Sequence, residues 1–266
     1  MSETTFAVQT QHLSRSFAGR PALSDLTLEV PEGSFFGYLG PNGAGKSTTI
    51  NILTGLLAPD GGSARVLGFD VATQSLEIKR RIGVVPDGLH LFERLSGEEH
   101  LRFVGEVYGL PPAEAKRRAG QLLEAMDLRD DARKLVSSYS HGMRKKLALS
   151  CALIHEPRLL FLDEPFEGVD AVATRELREL LQKLVATRRL TVFLTSHVLE
   201  VVERLCTHVA IIVGGKLAAV GTLDELQRGP SGTPRSLEEL VLDTVGATRE
   251  DASAGLDWLT RTNEPA

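Results

Sequence analysis

The sequence predicts an α/β protein built around a mostly parallel β-sheet. Apolar segments of strand length alternate with segments of helical periodicity along most of the 266 residues, and this alternation is typical of parallel sheets with crossover helices. A glycine-rich turn at residues 40–48 lies between a predicted strand and a predicted helix. A second apolar strand, at residues 159–162, leads directly into two carboxylates. Both arrangements are typical of the mostly parallel sheet of an α/β protein.

The first half of the chain contains five predicted strands. They are Phe6–Leu13, Leu26–Val30, Ser34–Leu39, Ala64–Leu67 and Ile82–Val85. A turn around Ala18-Gly19-Arg20-Pro21 links the first two strands. The glycine-rich turn opens a helix that lasts to about Leu57. From Ser96 to about Met126 the pattern is helical, with an interruption at residues 109–112, where glycine and two prolines occur.

The second half continues the alternation of helices and strands. Predicted helices at Met143–Ile154, Ala171–Arg189 and Val198–Leu205 flank strands at Leu159–Leu162 and Thr191–Thr195. Residues 209–213 and 217–220 form a predicted hairpin across Gly214-Gly215. A linker at 228–236, a short helix at 237–245 and a loose polar tail complete the prediction.

Composition excludes several classes of protein. The formal net charge is −5 and the pI is about 5.9, so we expect no nucleic-acid partner. The two cysteines, Cys151 and Cys206, lie far apart, which excludes a disulfide scaffold or a zinc ribbon and fits a reducing compartment. We find neither a signal peptide nor an apolar run of membrane-spanning length.

The glycine-rich turn has the spacing of a phosphate-binding loop, Gly40-x-x-x-x-Gly45-Lys46-Ser47. Glycines allow backbone N–H groups to point at phosphate oxygens, and the helix N-terminus adds positive potential. Lys46 supplies a charge for the β- and γ-phosphates, and the Ser47 hydroxyl is a ligand for Mg²⁺. The predicted nucleotide contacts are Asn42, Gly43, Ala44, Gly45, Lys46, Ser47 and Thr48. The alternative is a glycine-rich turn that contains a lysine by chance.

Asp163 and Glu164 follow the apolar strand at 159–162. An aspartate at the end of such a strand suits Mg²⁺, directly or through water. Glu164 would then lie near the γ-phosphate, where a carboxylate can polarise the attacking water. The alternative is an Asp that only caps a following helix.

Further motifs occur in a fixed order along the chain. Tyr139-Ser140-His141-Gly142-Met143 precedes a predicted helix, Gly168-Val169-Asp170 follows the carboxylates, and Thr195-Ser196-His197 ends the next strand. With the phosphate loop, these segments resemble the nucleotide-binding subunits of ABC transporters, and in particular the ATPases of ABC-2-type exporters, whose permeases are separate chains. The resemblance covers about residues 6–246.

The resemblance implies a fold and a division of the chain. The fold is the ABC cassette, in which a RecA-like core carries an antiparallel β-subdomain and an α-helical subdomain. The cassette would span residues 1–227, with the helical subdomain at about 88–157. Residues 228–266 would contain the linker, the short helix and the tail.

The resemblance also implies roles for single residues. In a head-to-tail dimer with two ATP molecules in its interface, Ser140 and Gly142 of the signature segment would bind the partner's γ-phosphate. His197 would hold the γ-phosphate and the water together with Glu164 and Lys46, and Phe17 would stack on adenine. The alternatives are a simple N-cap for Ser140 and a core position for Phe17. His141 and Met143 depart from the usual Leu-Ser-Gly-Gly-Gln signature.

Asp87 is the weakest match. The family usually has glutamine here, after the strand at 82–85, whereas this chain has Val85-Pro86-Asp87-Gly88. An aspartate is a hard oxygen donor that can bind Mg²⁺. Pro-Asp-Gly is also a strong turn signal, and this alternative stays open.

The resemblance implies an ATPase that uses ATP and Mg²⁺ and drives separate integral membrane permease subunits. It would work as a dimer, either a homodimer or a pair with a close paralogue. The location would be cytoplasmic, on the inner face of the cell membrane. We expect the permease to dock on residues 88–108, where Leu89, Leu91, Phe92 and Leu95 lie close together. The alternative for some of these side chains is a position in the core. The alternative for the whole protein is a soluble ABC ATPase without a transport role, such as one for iron–sulfur cluster assembly.

Overall fold

The computed structural model describes residues 5–187, 190–228 and 235–246. Within these ranges, ten strands form two sheets. In chain order they are β1 (Phe6–Phe17), β2 (Arg20–Pro31), β3 (Phe35–Leu39), β4 (Gly61–Val66), β5 (Phe69–Asp70), β6 (Ile82–Val85), β7 (Leu159–Asp163), β8 (Thr191–Thr195), β9 (His208–Val213) and β10 (Lys216–Thr222).

The described helices alternate with these strands. They are α1 (Lys46–Leu53), α2 (Ser75–Lys79), α3 (Gly97–Val107), α4 (Pro112–Ala125), α5 (His141–Leu153), α6 (Ala171–Ala186), α7 (Leu199–Leu205), α8 (Leu223–Gln227) and α9 (Leu237–Gly246). A short 3₁₀ turn at Val136–Ser138 precedes α5.

The larger sheet has six strands in the order β10-β9-β3-β8-β7-β6. Strands β9, β3, β8, β7 and β6 run parallel to one another, and only β10 pairs antiparallel, as the second strand of the β9–β10 hairpin. The predicted α/β class with a mostly parallel sheet is therefore confirmed. The carboxyl ends of β3, β8, β7 and β6 lie along one edge, since these strands are successive neighbours.

The central strands are buried on both faces. Every residue of β3, β7 and β8 is buried, and alternate side chains belong to different hydrophobic clusters. On one face Phe36, Tyr38 and Phe161 surround Phe193, with ring centroids 5.2–5.6 Å apart. Continuous apolar runs suit strands that are covered by helices or by a second sheet on each side.

The smaller sheet is antiparallel, in the order β2-β1-β4-β5. Its β1–β2 hairpin turns at Ala18 and Gly19, which both have positive φ (47° and 77°). Strands β1 and β2 have 12 residues each and extend well beyond the predicted ranges. The ladder continues through the polar segment between the predicted strands, where Arg15 pairs with Leu23, Ser16 with Pro21 and Phe17 with Arg20. Leu23 is the one buried residue between positions 14 and 25, so hydrophobic alternation does not mark this extension.

Helices α3, α4 and α5 pack against one another, in agreement with an α-helical subdomain. The predicted break in the helical region occurs at Gly109, which has a φ of +88°. Ser96 begins α3 with a capping box, in which its side chain accepts from the Glu99 N–H and the Glu99 carboxylate accepts from the Ser96 N–H. This reciprocal pairing satisfies two N–H groups that the helix itself leaves open.

Some predicted boundaries were wrong. Helix α1 ends at Leu53 and not near Leu57, because Gly55 adopts a left-handed φ of +68° that stops the helix. The five-residue helices α2 and α8 were not predicted, since segments this short contain too little periodicity. The predicted linker lies mostly outside the described residues, and the tail after Gly246 does so entirely.

Candidate nucleotide site

Four strand ends meet at one edge of the parallel sheet. The turn at 40–45 follows β3, Asp163 ends β7, Thr195 ends β8, and Asp87 comes two residues after β6. Asp163 and Thr195 are direct register partners, and Tyr38 of β3 also pairs with Thr195. Ligands of open α/β sheets bind at this carboxyl edge.

A cavity of about 650 Å³ opens at this edge. Its lining includes most of the predicted site residues, which are Asn42, Gly43, Gly45, Lys46, Ser47, Thr48, Asp87, Asp163, Glu164 and His197. Ala44 is buried beneath the loop. Phe17, Ser140 and Gly142 are not part of the lining.

The phosphate loop needs glycine at two of its positions. A Cβ on Gly40 would lie 2.2 Å from the Ile212 carbonyl oxygen. Gly45 has a φ of +107°, and a Cβ there would lie 2.6 Å from the Ala22 carbonyl oxygen. Only glycine fits these close approaches. The loop therefore packs closely against the backbone of β2 and β9, while five of the six residues at 40–45 line the cavity.

Lys46 is the first residue of α1 and is 8% exposed. Its Nζ donates to the carbonyl oxygens of Gly40 (2.7 Å) and Pro41 (3.2 Å). The loop thus holds the ammonium within its own curve, at the wall of the cavity. This is the position from which a lysine can meet phosphate oxygens.

Asp163 links the phosphate loop to the two neighbouring strands. Its Oδ2 accepts from the Ser47 hydroxyl (2.9 Å) and its Oδ1 accepts from the Thr195 hydroxyl (2.6 Å). Asp163 is 9% exposed and Thr195 is fully buried. The carboxylate is therefore fixed in orientation, with one oxygen next to the Ser47 hydroxyl.

Glu164 has a strained backbone conformation. Its φ is +49°, and a left-handed conformation costs a non-glycine residue on the order of 1–2 kcal/mol. Its N–H donates to the Thr195 hydroxyl (3.1 Å). Its Oε2 accepts from the His197 backbone N–H (3.2 Å) and lies 3.0 Å from His197 Nδ1. Glu164 and His197, which lie 33 positions apart in sequence, are thus brought into contact at the cavity.

Asp87 lines the same cavity and is exposed. The segment also forms a turn, because the Leu89 N–H donates to the Pro86 carbonyl oxygen (3.1 Å). Both interpretations of Pro-Asp-Gly therefore agree with the geometry, since the turn is what directs Asp87 toward the cavity.

The donors at this edge fit Mg²⁺. The Ser47 hydroxyl and the carboxylates of Asp163 and Asp87 are oxygen ligands, which Mg²⁺ prefers, and the ion usually binds one or two carboxylates together with substrate phosphates. Within the described residues, no group of three or more His, Cys, Asp or Glu side chains forms a metal cage by itself. The arrangement suits an ion that arrives with a nucleotide.

The signature segment lies at the start of α5, outside the cavity. Ser140 is the N-cap of α5 and accepts from the Met143 N–H (3.2 Å), so the N-cap interpretation holds. His141 Nε2 lies 3.2 Å from the Glu167 carbonyl oxygen, and a Cβ on Gly168 would contact the His141 ring at 3.0 Å. His141, at which the chain departs from the usual signature, therefore links the signature segment to Glu167 and Gly168.

Asp170 caps the next helix, α6. Its side chain accepts from the N–H groups of Val172 and Ala173 (3.0 Å each). These hydrogen bonds hold the pKa of the Asp170 carboxyl below its usual range, with the bond from Ala173 contributing most.

Phe17 lies at the end of β1 and is 46% exposed, so the alternative of a core position was wrong, while stacking on adenine stays a prediction. The Arg15 guanidinium lies 5.0 Å from the centre of its ring, and Arg15 is held by Asp60 (2.6 Å). The ring is thus supported by a cation while much of it stays exposed, as a stacking platform requires.

Three residues near the cavity were not singled out by sequence. Thr195 was noted only as part of a strand, although a hydroxyl at the end of a buried strand is a usable signal. Glu167 also lines the cavity. The Lys145 Nζ donates to the Glu164 carbonyl oxygen (2.5 Å), and no sequence spacing reveals this contact because it joins residues from two separate elements.

Comparisons with known proteins agree with this geometry. A sequence model of the ABC transporter family matches residues 23–167. The linearmycin resistance ATP-binding protein LnrL of Bacillus subtilis is 36% identical over 219 residues, which are 82% of this chain and 70% of LnrL. The daunorubicin/doxorubicin resistance ATP-binding protein DrrA of Streptomyces peucetius is 39% identical over 226 residues, 85% of this chain and 68% of DrrA.

A solved structure described as the ATP binding subunit of an ABC transporter has the same fold. It is 34% identical, with a TM-score of 0.83, and the match covers 90% of this chain and 99% of that one. The resemblance that the motifs indicated and the predicted ABC cassette fold are therefore confirmed.

Proposed function

Since the chain belongs to the ABC transporter family as an ATP-hydrolysing subunit, we propose that it drives export of a solute through a separate membrane permease. One observation above all supports the ATP-hydrolysing part of this proposal. The phosphate loop, Asp163, Glu164 and His197 line one cavity. The names of LnrL and DrrA, which describe ATP-binding proteins of linearmycin resistance and of daunorubicin/doxorubicin resistance, support export as the direction.

Binding of ATP would use the phosphate loop and the start of α1. Backbone N–H groups of the loop would contact the β- and γ-phosphates, and Lys46 would exchange its carbonyl partners for phosphate oxygens. The Ser47 hydroxyl and Asp163 would hold Mg²⁺, with Asp87 as a further oxygen donor. When bound, Mg²⁺ neutralises part of the phosphate charge. Phe17 would stack on the adenine.

Hydrolysis would use Glu164 and His197. The Glu164 carboxylate lies at the cavity wall with only 13% of its side chain exposed, and its contact with His197 holds it in one orientation. A carboxylate held in this way can accept a proton from the attacking water as that water approaches the γ-phosphate. The Thr195 hydroxyl donates to the Asp163 carboxylate and accepts from the Glu164 backbone N–H. These hydrogen bonds would keep Asp163 in its role at Mg²⁺ and Glu164 in its role at the water.

We propose that two subunits bind two ATP molecules between them. Ser140 and Gly142 open α5 outside the cavity of their own subunit, and the start of a helix is an anion site only when an anion reaches it. The γ-phosphate in the partner subunit would supply that anion. The second subunit would be a copy of this chain or a close paralogue.

The permease would dock beside α3. Phe92 and Phe103 are 55% and 46% exposed, and their rings meet edge to face at 5.5 Å. Val107, one turn further along α3, is 67% exposed. Exposed apolar side chains grouped in this way are typical of an interface. We define Phe92, Phe103 and Val107 as the docking surface and propose a short cytoplasmic helix of the permease as its occupant.

Leu89, Leu91 and Leu95, which the sequence placed in the same surface, are half-buried. Leu89 and Leu91 pack against the main hydrophobic cluster, so they support the docking surface from below. In the described part of the chain no helix combines the length and the apolarity that crossing a bilayer requires. We propose attachment to the inner face of the cell membrane through the permease. Nothing in the relatives reported above favours the alternative role in iron–sulfur cluster assembly.

The decisive experiment replaces Glu164 by Gln. We expect ATP binding to persist and the ATPase rate to fall by roughly 10²–10⁴-fold, the usual scale for a positioned base. With ATP and Mg²⁺ the variant is expected to elute as a dimer, because hydrolysis no longer opens the interface. Glu179→Gln, on the exposed face of α6, is the matched control and keeps the wild-type rate. A Glu164→Gln protein that hydrolyses ATP at the wild-type rate would remove Glu164 from this role.

A further inference from the structure

Lys145 of α5 has no part in the proposed function, yet it is placed directly behind the reaction centre. It is only 3% exposed. It lines a void of about 10 Å³ together with apolar residues that include Val85, Leu162 and Phe166. A buried ammonium is unfavourable unless it is hydrogen-bonded and paired with opposite charge. The partners of this nitrogen therefore indicate why a lysine is here.

The Lys145 nitrogen contacts the backbone of Glu164. Its Nζ donates to the Glu164 carbonyl oxygen at 2.5 Å. Burial lowers the pKa of Lys145, and the opposing, stabilising influence comes from Asp87, Glu167, Glu164 and Asp163. The negative charge of this region thus offsets part of the cost of burying the ammonium. Lys145 does not itself line the nucleotide cavity, so it faces the protein side of the site.

This contact completes a clamp on the strained residue. The Glu164 N–H donates to the Thr195 hydroxyl (3.1 Å), and its carbonyl accepts from Lys145. The peptide groups on both sides of the left-handed Cα, with its φ of +49°, are therefore held by side chains of two different elements, β8 and α5. A non-glycine residue keeps such a conformation only where its surroundings enforce it.

We propose that Lys145 is a positioning residue, which holds the Glu164 backbone so that the carboxylate faces the attacking water. The proposal rests on the proposed role of Glu164. The ammonium acts through the Glu164 peptide group and does not touch the nucleotide. Its loss is therefore expected to impair the chemical step while ATP binding stays almost unchanged.

The test compares Lys145→Met with Lys146→Met in the full chain. Methionine keeps the apolar stem of Lys145 and removes only the charge and the donor. Lys146 is the next residue of α5 and is also buried, at 8% exposed, but its Nζ pairs with Glu176 of α6 (3.0 Å). For Lys145→Met we expect kcat to fall by about 10–100-fold, the scale of loss when a reacting group is misplaced by up to about 1 Å, with KM for MgATP changed by less than about twofold. Lys146→Met is expected to keep both constants.

Two further variants separate positioning from a merely structural role. Lys145→Arg retains a cationic donor and is expected to recover part of the lost kcat. In a Glu164→Gln background, Lys145→Met is expected to cause no further loss, because residues that act through one another are not additive. If Lys145→Met does not fold, Lys145→Gln carries the same expectation, since its amide is one bond shorter than the lysine side chain and has no charge.

Several results would overturn the inference. These are a raised KM with unchanged kcat in a folded Lys145 variant, an equal loss in Lys146→Met, and a full additional loss in the Glu164→Gln background. Different results would reject the proposed function and the role of Lys145. A full rate in Glu164→Gln rejects the role of Glu164, whereas a full rate in Lys145→Met beside an inactive Glu164→Gln rejects only the role of Lys145.

Discussion

Lys46 is held by the loop to which it belongs. Its two carbonyl partners, Gly40 and Pro41, orient the ammonium toward the cavity wall. A buried lysine with such partners is prepared to receive phosphate oxygens, because little reorganisation is needed when they arrive.

Lys46→Ala is therefore expected to weaken ATP binding and to abolish turnover, since the phosphates lose their main side-chain charge. Isothermal titration with ATP and a steady-state ATPase assay measure the two effects. Lys183→Ala, on the exposed side of α6, is the control and leaves both unchanged. Wild-type affinity together with a wild-type rate in Lys46→Ala would contradict the assignment of the phosphate loop.

Asp87 combines a turn with a position on the cavity wall. If its carboxylate is a ligand of Mg²⁺, Asp87→Ala raises the Mg²⁺ concentration that gives half-maximal ATPase activity, and Asp87→Asn does so to a smaller extent. If the residue only shapes the turn, Asp87→Asn is silent, because asparagine serves turns equally well. Titration of the ATPase rate with Mg²⁺ distinguishes the two, and we expect the first result. Silence of both variants would exclude a role at the metal.

At the scale of elements, two helices begin with the same device. Ser96 caps α3 and Ser140 caps α5, each by accepting from the N–H three residues later. The caps differ in their surroundings, because Ser96 is buried and paired with Glu99 while Ser140 is exposed.

Replacing either serine by alanine is expected to lower the free energy of unfolding by about 0.5–2 kcal/mol, the usual cost of a lost N-cap. Denaturant unfolding measures this cost. Only Ser140→Ala is expected to weaken the ATP-dependent dimer as well, when both changes are made in the Glu164→Gln background and compared by size-exclusion chromatography. Equal dimerisation of the two variants would show that Ser140 is a cap and nothing more.

At the scale of the whole molecule, the proposed sites of catalysis and of docking occupy different places. The cavity lies at the carboxyl edge of the parallel sheet, whereas the docking surface of Phe92, Phe103 and Val107 lies on and beside α3. The sequence left open whether Phe92 belongs to the core. Phe92 is 55% exposed, which excludes a core position.

Phe92→Asp is accordingly expected to break the complex with the permease and to leave ATP binding by the isolated subunit intact. Coexpression with a permease encoded by a neighbouring gene, followed by a pull-down, measures the first effect. Leu242→Asp is the control, since Leu242 is 62% exposed on α9, which packs near α7 and β9. Persistence of the complex in Phe92→Asp would place the interface elsewhere.

The sequence by itself determined the parallel sheet, the phosphate loop, the carboxylate pair and the family. These features depend on local spacing, such as Gly40 to Ser47, and on continuous apolar runs such as β7, so they can be read along one stretch of chain. The capped start of α5 was visible for the same reason.

Only the tertiary structure decided which distant residues meet. Register between β7 and β8 places Thr195 against Asp163 and Glu164, and packing of α5 against the sheet places Lys145 behind Glu164. The left-handed backbone of Glu164, the exposure of Phe92 and Phe17, and the early end of α1 also depend on neighbours far away in sequence or on single φ angles. Such properties arise from long-range packing, for which a one-dimensional pattern carries no signal.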